Sequence, residues 1–267
     1  GGSTDRVHWV LYVMHEAIVV HTGLSEIRDG TRHRDSGITQ AAIRGTARSH
    51  LIEEVGARLI AALDEAAARI AEASRPAIIV GYGAREAMDE VLGLAERLRC
   101  PVLTTFKAKG QIADDHPHAA GVLGRSGTPI ASWFMNECDL LLVFGASFSD
   151  HTGITTNKPI IQVDFDPMTL GKFHAVTLPV LGESGRSAEW LWRNLDEDSG
   201  SVDQQAELAE RWQIWRAEKH QRRARQRGKG MHSAVVFHAM SDLVPEDAVI
   251  AVDVGNNPYS FGRYFEC

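Results

Sequence analysis

No stretch of this chain approaches the ~20 consecutive apolar residues a helix needs to cross a bilayer. Its opening, Gly1-Gly2-Ser3-Thr4-Asp5-Arg6, lacks the basic-then-apolar order of a signal peptide. Cysteine is scarce: Cys100, Cys138 and Cys267 are odd in number and far apart, which excludes a disulfide framework and a metal knuckle and predicts buried thiols in a reducing compartment. Positive charge is in deficit, with 28 Lys and Arg against 35 Asp and Glu, a formal net charge of -7. That balance argues against a general nucleic-acid or anionic-membrane binder. Internal repeats are absent as well. These absences leave a cytoplasmic globular protein. Its 267 residues exceed the usual single-domain size, and a hydrophobic content of 44% is enough for a sizeable core, so one full domain flanked by parts of others is expected.

What is present is an alternation. Residues 7–20 read as a strand running into a helix, and residues 21–50 show no sustained period of either kind. From Leu51 the apolar residues Val55, Leu59, Leu63 and Ile70 mark one helical face that ends at Ser74-Arg75-Pro76. Short apolar runs follow at 77–80, 101–105, 139–144, 159–164 and 177–181. Helical segments lie near 84–98, 128–137 and 186–195. This alternation predicts an α/β fold, a doubly wound parallel sheet with helices on both faces. Residues 196–201 read as a linker, followed by a charged helix over 204–227, a helix over 232–243 and a strand over 249–252. The expected divisions are 1–50, 51–198, 199–230 and 231–267.

In such a sheet ligands sit beyond the carboxyl ends of the strands, where Gly145, Ser147, Ser149, Asp164 and Asp166 would lie. Gly81-Tyr82-Gly83, between a strand and a helix, is either a tight turn or a place where backbone N–H groups face a phosphate. Lys107, Lys109 and Gly110, with Asp114-Asp115-His116-Pro117 after them, form either a solvated loop or a basic loop able to reach a phosphate. Asp164 is suited to accept from ribose hydroxyls, and with Asp166-Pro167 it is equally a turn former. Gly255, Asn256 and Asn257 combine turn chemistry with a backbone that can approach a phosphate. The basic stretch 211–229, with Trp212 and Trp215 on one helical face, reads as a helix anchored to the protein body rather than a nucleic-acid patch.

Several stretches of the chain resemble one family. DLLLVFGASF at 139–148, IIQVDFDP at 160–167 and LGK at 170–172 resemble the central domain of the thiamine diphosphate-dependent 2-oxo acid enzymes, the acetolactate synthase and pyruvate oxidase group. Asp253, Gly255, Asn256 and Asn257 resemble the start of that family's diphosphate-binding domain. His15-Glu16, after the strand over 10–14, resembles the point where a Glu activates the aminopyrimidine of thiamine. The likeness covers residues 51–267 well and 7–20 weakly. It implies thiamine-dependent decarboxylation of a 2-oxo acid such as pyruvate, with transfer of the two-carbon unit. Glu16 would be the activating carboxylate, Gly255, Asn256 and Asn257 would hold the diphosphate, and Gly81, Gly83, Lys107, Gly145, Ser147, Asp164 and Asp166 would line the central pocket.

It further implies that the central domain carries FAD or nothing, that Gly121-Val122-Leu123-Gly124 is a turn before a helix, and that the active protein is a homo-oligomer. The family's Mg2+ motif, G-D-G with a downstream Asn, occurs nowhere in the 267 residues. Its ligands are expected beyond Cys267, the chain being an incomplete and inactive portion of a longer product. The competing reading is a non-catalytic module for an FAD- or NAD-type dinucleotide. A G-D-G in the reading frame after Cys267 would favour the enzyme.

Overall fold

The structure, a computed structural model, describes residues 37–148, 152–196, 200–225, 231–245, 248–252 and 256–267, with the backbone alone for 37–52, 256 and 257. The chain divides into two compact units, Gly1–Ala62 and Leu63–Cys267. Helix α1 (Gly37–Glu72) begins in the first and ends in the second. Its start is a correction, because residues 37–50 lie in the stretch expected to be irregular. Gly37, Gly45 and Thr46 lower helix propensity there and no apolar face repeats, so nothing local marks the helix. Within the larger unit its buried side chains are Leu63, Ala66 and Ile70.

Six parallel strands form one sheet: β1 (Pro76–Val80), β2 (Val102–Thr104), β3 (Ala119–Val122), β4 (Leu140–Phe144), β5 (Ile160–Asp164) and β6 (Leu178–Leu181). The order is β3-β2-β1-β4-β5-β6 with every pairing parallel, the doubly wound arrangement the alternation predicts. Every residue of β1, β2, β4 and β5 is buried, as expected for strands covered on both faces. Strand β6, at the edge, alternates between buried and exposed residues and carries Pro179, whose missing N–H costs no ladder bond there.

Helices α2 (Met88–Leu98) and α4 (Ser184–Asn194) pack together, as do α3 (Pro129–Glu137) and α5 (Gln205–Ala224). Ala77, Ile79, Leu103, Leu141 and Val143 share a core with Phe134 of α3 and with Leu208, Trp212 and Trp215 of α5. The alternate residues Ile78, Val80, Leu142 and Phe144 are equally buried and point to the opposite face, because strand side chains alternate. Caps fix the helix starts: Thr128 accepts from the Ala131 amide at 3.4 Å, and Glu183 from those of Gly185 and Arg186 at 2.8 and 2.7 Å.

Helix α5, read from sequence as a linker helix, is bound to the sheet domain by specific contacts. Gln204 donates to the Pro76 carbonyl at 2.9 Å and Trp212 to that of Ala119 at 2.6 Å. Glu207 accepts from Arg75 at 2.6 Å and from Trp133 at 2.7 Å, while Arg211 lies 3.5 Å over the Trp133 ring.

Two further expectations are corrected. Ala119–Val122 is a strand rather than part of a turn; Ala-Ala-Gly with a single β-branched residue, Val122, gives only a weak strand signal, and pairing with β2 makes it one. Residues 249–252 form no strand, and Val249 is fully exposed; among the described residues no strand pairs with this stretch. Helices α6 (Ser233–Leu243) and α7 (Asn256–Tyr264) flank that stretch and pack on each other. Cys100 and Cys138 are buried, and burial pushes the Cys138 thiol up to about 12; Cys267, by contrast, is exposed. Among the described residues no helix is long and apolar enough to cross a membrane.

Candidate functional site

The sheet changes winding direction between β1 and β4, the point at whose strand carboxyl ends a doubly wound sheet places its ligands. Gly81 and Gly83 stand on one side of it and Gly145 on the other. The Gly81 amide donates to the Phe144 carbonyl at 2.9 Å, and the Gly83 amide to the Gly145 carbonyl at 3.0 Å. A Cβ on Gly81 would lie 2.1 Å from the Gly145 carbonyl oxygen. Gly145 itself has φ +60°, and a Cβ on it would lie 2.4 Å from the Ala84 nitrogen. The glycines therefore let two loops touch backbone to backbone, and a phosphate at these amides would have to compete with existing bonds.

Beyond that contact the loop after β4 continues through Ala146, Ser147 and Phe148. Ser147 is exposed, whereas Phe148 is buried with φ 57°, a strained conformation for an aromatic residue. Ser149 lies outside the described residues. The carbonyl of Ala146 accepts from Nε2 of Gln162 at 2.8 Å, and the Gln162 side-chain oxygen accepts from the Gly171 amide at 2.8 Å. Gln162, fully buried on β5, thus clips the loop after β4 to the turn after β5. It was not singled out from sequence, although a lone polar residue inside an apolar strand is a visible signal.

At the end of β5 the two aspartates differ. Asp164 is buried and accepts from the Asp166 amide at 2.9 Å through one oxygen; burial first, then the Asp166 charge, hold its carboxyl above the ordinary range against the pull of that bond. Asp166 accepts from the Met168 amide at 2.9 Å and the Thr169 hydroxyl at 3.2 Å, so its carboxylate closes the turn at Pro167. Phe165 and Met168 beside it are exposed.

The loop after β2 separates its two lysines. Lys107 is exposed, while Lys109 is buried in an ion pair with Asp114 at 3.0 Å. Lys109 is thereby removed from the set of side chains that could reach a phosphate. Helix α7 lies against this loop and the one after β3: Phe261 meets Phe106 edge to face, and Arg263 donates to the carbonyls of Gly127 and Arg125, both at 3.2 Å. Helix α7 starts at Asn256, so the first N–H groups there have no intrahelical acceptor, which suits a diphosphate. Asp253 and Gly255, the side chains of Asn256 and Asn257, and Glu16 lie outside what the structure describes. Among the described residues no group of three His, Cys, Asp or Glu side chains could hold a metal ion.

Comparison with known proteins bears on this arrangement. Residues 63–191, nearly the whole sheet domain, match the thiamine pyrophosphate enzyme central domain. The chain is similar to YdaP of Bacillus subtilis, a protein named for thiamine pyrophosphate, at 32% identity over 74% of this chain and 34% of that one. It is similar to the acetolactate synthase large subunit of Parasynechococcus marenigrum, at 32% identity over 75% of this chain and 33% of the relative. Pyruvate oxidase of Lactiplantibacillus plantarum is 27% identical over 73% of this chain and 32% of its own length. The chain spans about a third of the length of these relatives.

Proposed function

Residues 63–191 being a central domain of the thiamine pyrophosphate enzymes, we propose that the protein serves thiamine diphosphate-dependent decarboxylation of a 2-oxo acid such as pyruvate, with transfer of the two-carbon unit to an acceptor. The observation that carries this reading is the docking of helix α7, whose first amides lack intrahelical acceptors, on the loops after β2 and β3. Gly255, Asn256 and Asn257 would bind the diphosphate through backbone amides, and Glu16 would hold a proton at the aminopyrimidine. The cofactor, when bound with Mg2+, supplies a nucleophilic carbon for the substrate ketone. No G-D-G occurs in the 267 residues, so a Mg2+ site of that kind is not expected within this chain, and the chain alone is expected to be inactive.

The central domain would act as a spacer or as an FAD carrier. Asp164, exposed Ser147 and the apolar Phe165 would suit a nucleotide lying across the ends of β4 and β5, whereas the amides of Gly81 and Gly83 are already bonded. Buried Asp164 is also the observation that favours the second reading, a non-catalytic dinucleotide module. A cytoplasmic homo-oligomer belongs to the same proposal, as does Lys107, the exposed lysine of its loop, as a phosphate contact. The deciding test is the product of the whole reading frame, purified with thiamine diphosphate and Mg2+ and given pyruvate and other 2-oxo acids. Carbon dioxide release that requires both additions supports the enzyme. Nucleotide binding without any such release supports the module.

A further inference from the structure

We propose that the buried pair Lys109 and Asp114 is a latch that fixes residues 261–267, and with them helix α7, in register on the loops after β2 and β3. Asp114 is 6% exposed, and its Oδ2 accepts both from Lys109 Nζ at 3.0 Å and from the Cys267 amide at 3.0 Å. The Asp114 amide in turn donates to the Cys267 carbonyl at 3.1 Å, so the two residues are joined in both directions. Lys109 Nζ lies 5.8 Å from the Phe265 ring centroid, which places an aromatic face over the ion pair. A buried charged pair tolerates few alternatives, because either charge left alone is costly. Slipping the segment by one residue would take the Cys267 amide away from Asp114 and Phe265 away from Lys109. Glu266, meanwhile, pairs with Arg216 at 3.0 Å and with Lys219, which fastens the same segment to α5.

The consequence for function rests on the reading of Gly255, Asn256 and Asn257 as the diphosphate segment. Asp114 would then be a positioning residue, acting through α7 on where those amides sit. The test is hydrogen–deuterium exchange on this chain without cofactor, comparing wild type with Asp114→Ala and Asp114→Asn. Asp114→Ala is expected to speed exchange in peptides covering 258–267 by at least about tenfold while leaving peptides of β1, β4 and β5 unchanged. Asp114→Asn keeps an oxygen that can accept from both donors and is expected to restore part of the protection. Unchanged exchange over 258–267 in Asp114→Ala, or an equal rise in the strand peptides, would overturn the latch. If Asp114→Ala does not fold by circular dichroism, Asp114→Asn and Lys109→Met carry the same comparison. Because no cofactor is present, a docked segment in a protein that binds no thiamine diphosphate would refute the cofactor reading and leave the latch standing.

Discussion

The amide of Gly83 and the carbonyl of Gly145 meet at 3.0 Å across the point where the sheet reverses its winding; a Cβ would lie 3.0 Å from backbone at Gly83 and only 2.4 Å from it at Gly145. Gly145→Ala adds a methyl group 2.4 Å from the Ala84 nitrogen at a residue with φ +60°, so it faces both backbone strain and a clash with backbone. A loss of about 3 kcal/mol or more in urea unfolding is expected. Gly153→Ala shares the positive φ (+65°), but the nearest atom to its Cβ is 3.6 Å away. It should cost only about 1 kcal/mol, the conformational part alone. Equal losses in the two variants would show that the contact between the two loops contributes nothing.

Gln162→Leu should be more harmful than its similar volume suggests. The side chain donates to the Ala146 carbonyl and accepts from the Gly171 amide, and leucine would leave both without that partner. At about 1–3 kcal/mol for each buried polar group left unpaired, a destabilisation of roughly 2–6 kcal/mol is expected. Thermal unfolding of the variant measures it, and a change below about 0.5 kcal/mol would mean that water replaces the glutamine.

What the sequence makes legible follows from how locally each feature is encoded. Strands β1 and β4 stand out because burial on both faces demands unbroken apolar runs such as Leu140–Phe144, and β5 does so with Gln162 as its one internal interruption. Strand β3 does not, since Ala-Ala-Gly-Val becomes a strand only beside β2. Among the candidate site residues, the positions of Gly81, Gly145 and Asp164 at strand ends follow from the βα alternation. Their partners do not: that Lys109 is engaged by Asp114, or that Asp166 closes its own turn, depends on side-chain directions that spacing leaves open. The helix over residues 37–50 has no apolar period to announce it.

The junction between α1 and the sheet is held by Asp139, which accepts from the amides of Ser74 and Arg75 at 2.7 and 2.9 Å. Both oxygens are engaged, so Asp139→Ala removes the acceptors of two backbone donors at once. An expected loss of about 1–3 kcal/mol compares with about half that for Asp139→Asn, which retains one oxygen. Chemical denaturation of the two variants in parallel gives the ratio.

Asp164 gives stability a dependence on pH whose sign is opposite to that of most carboxylates. Its pKa in the fold lies above the ordinary value of 3.8, chiefly because burial disfavours the charged form. Between 3.8 and that higher folded value the native protein binds more protons than the unfolded chain, so this group's contribution to stability falls as pH rises. At neutral pH the charged carboxylate remains as a cost, and it is absent when acid protonates the group in both states. Asp164→Asn removes the charge but keeps an oxygen for the Asp166 amide, now 2.9 Å from the carboxylate. The variant should therefore have a higher unfolding midpoint than wild type at pH 7, and the gap should close as pH is lowered toward 4. Titration with FAD and with nicotinamide dinucleotide separates this from ligand binding. If a nucleotide ribose is held by Asp164, the more stable Asp164→Asn protein should bind it more weakly, because an amide offers one acceptor where the carboxylate offers two. Stability and affinity rising together would show that the carboxylate serves only the turn.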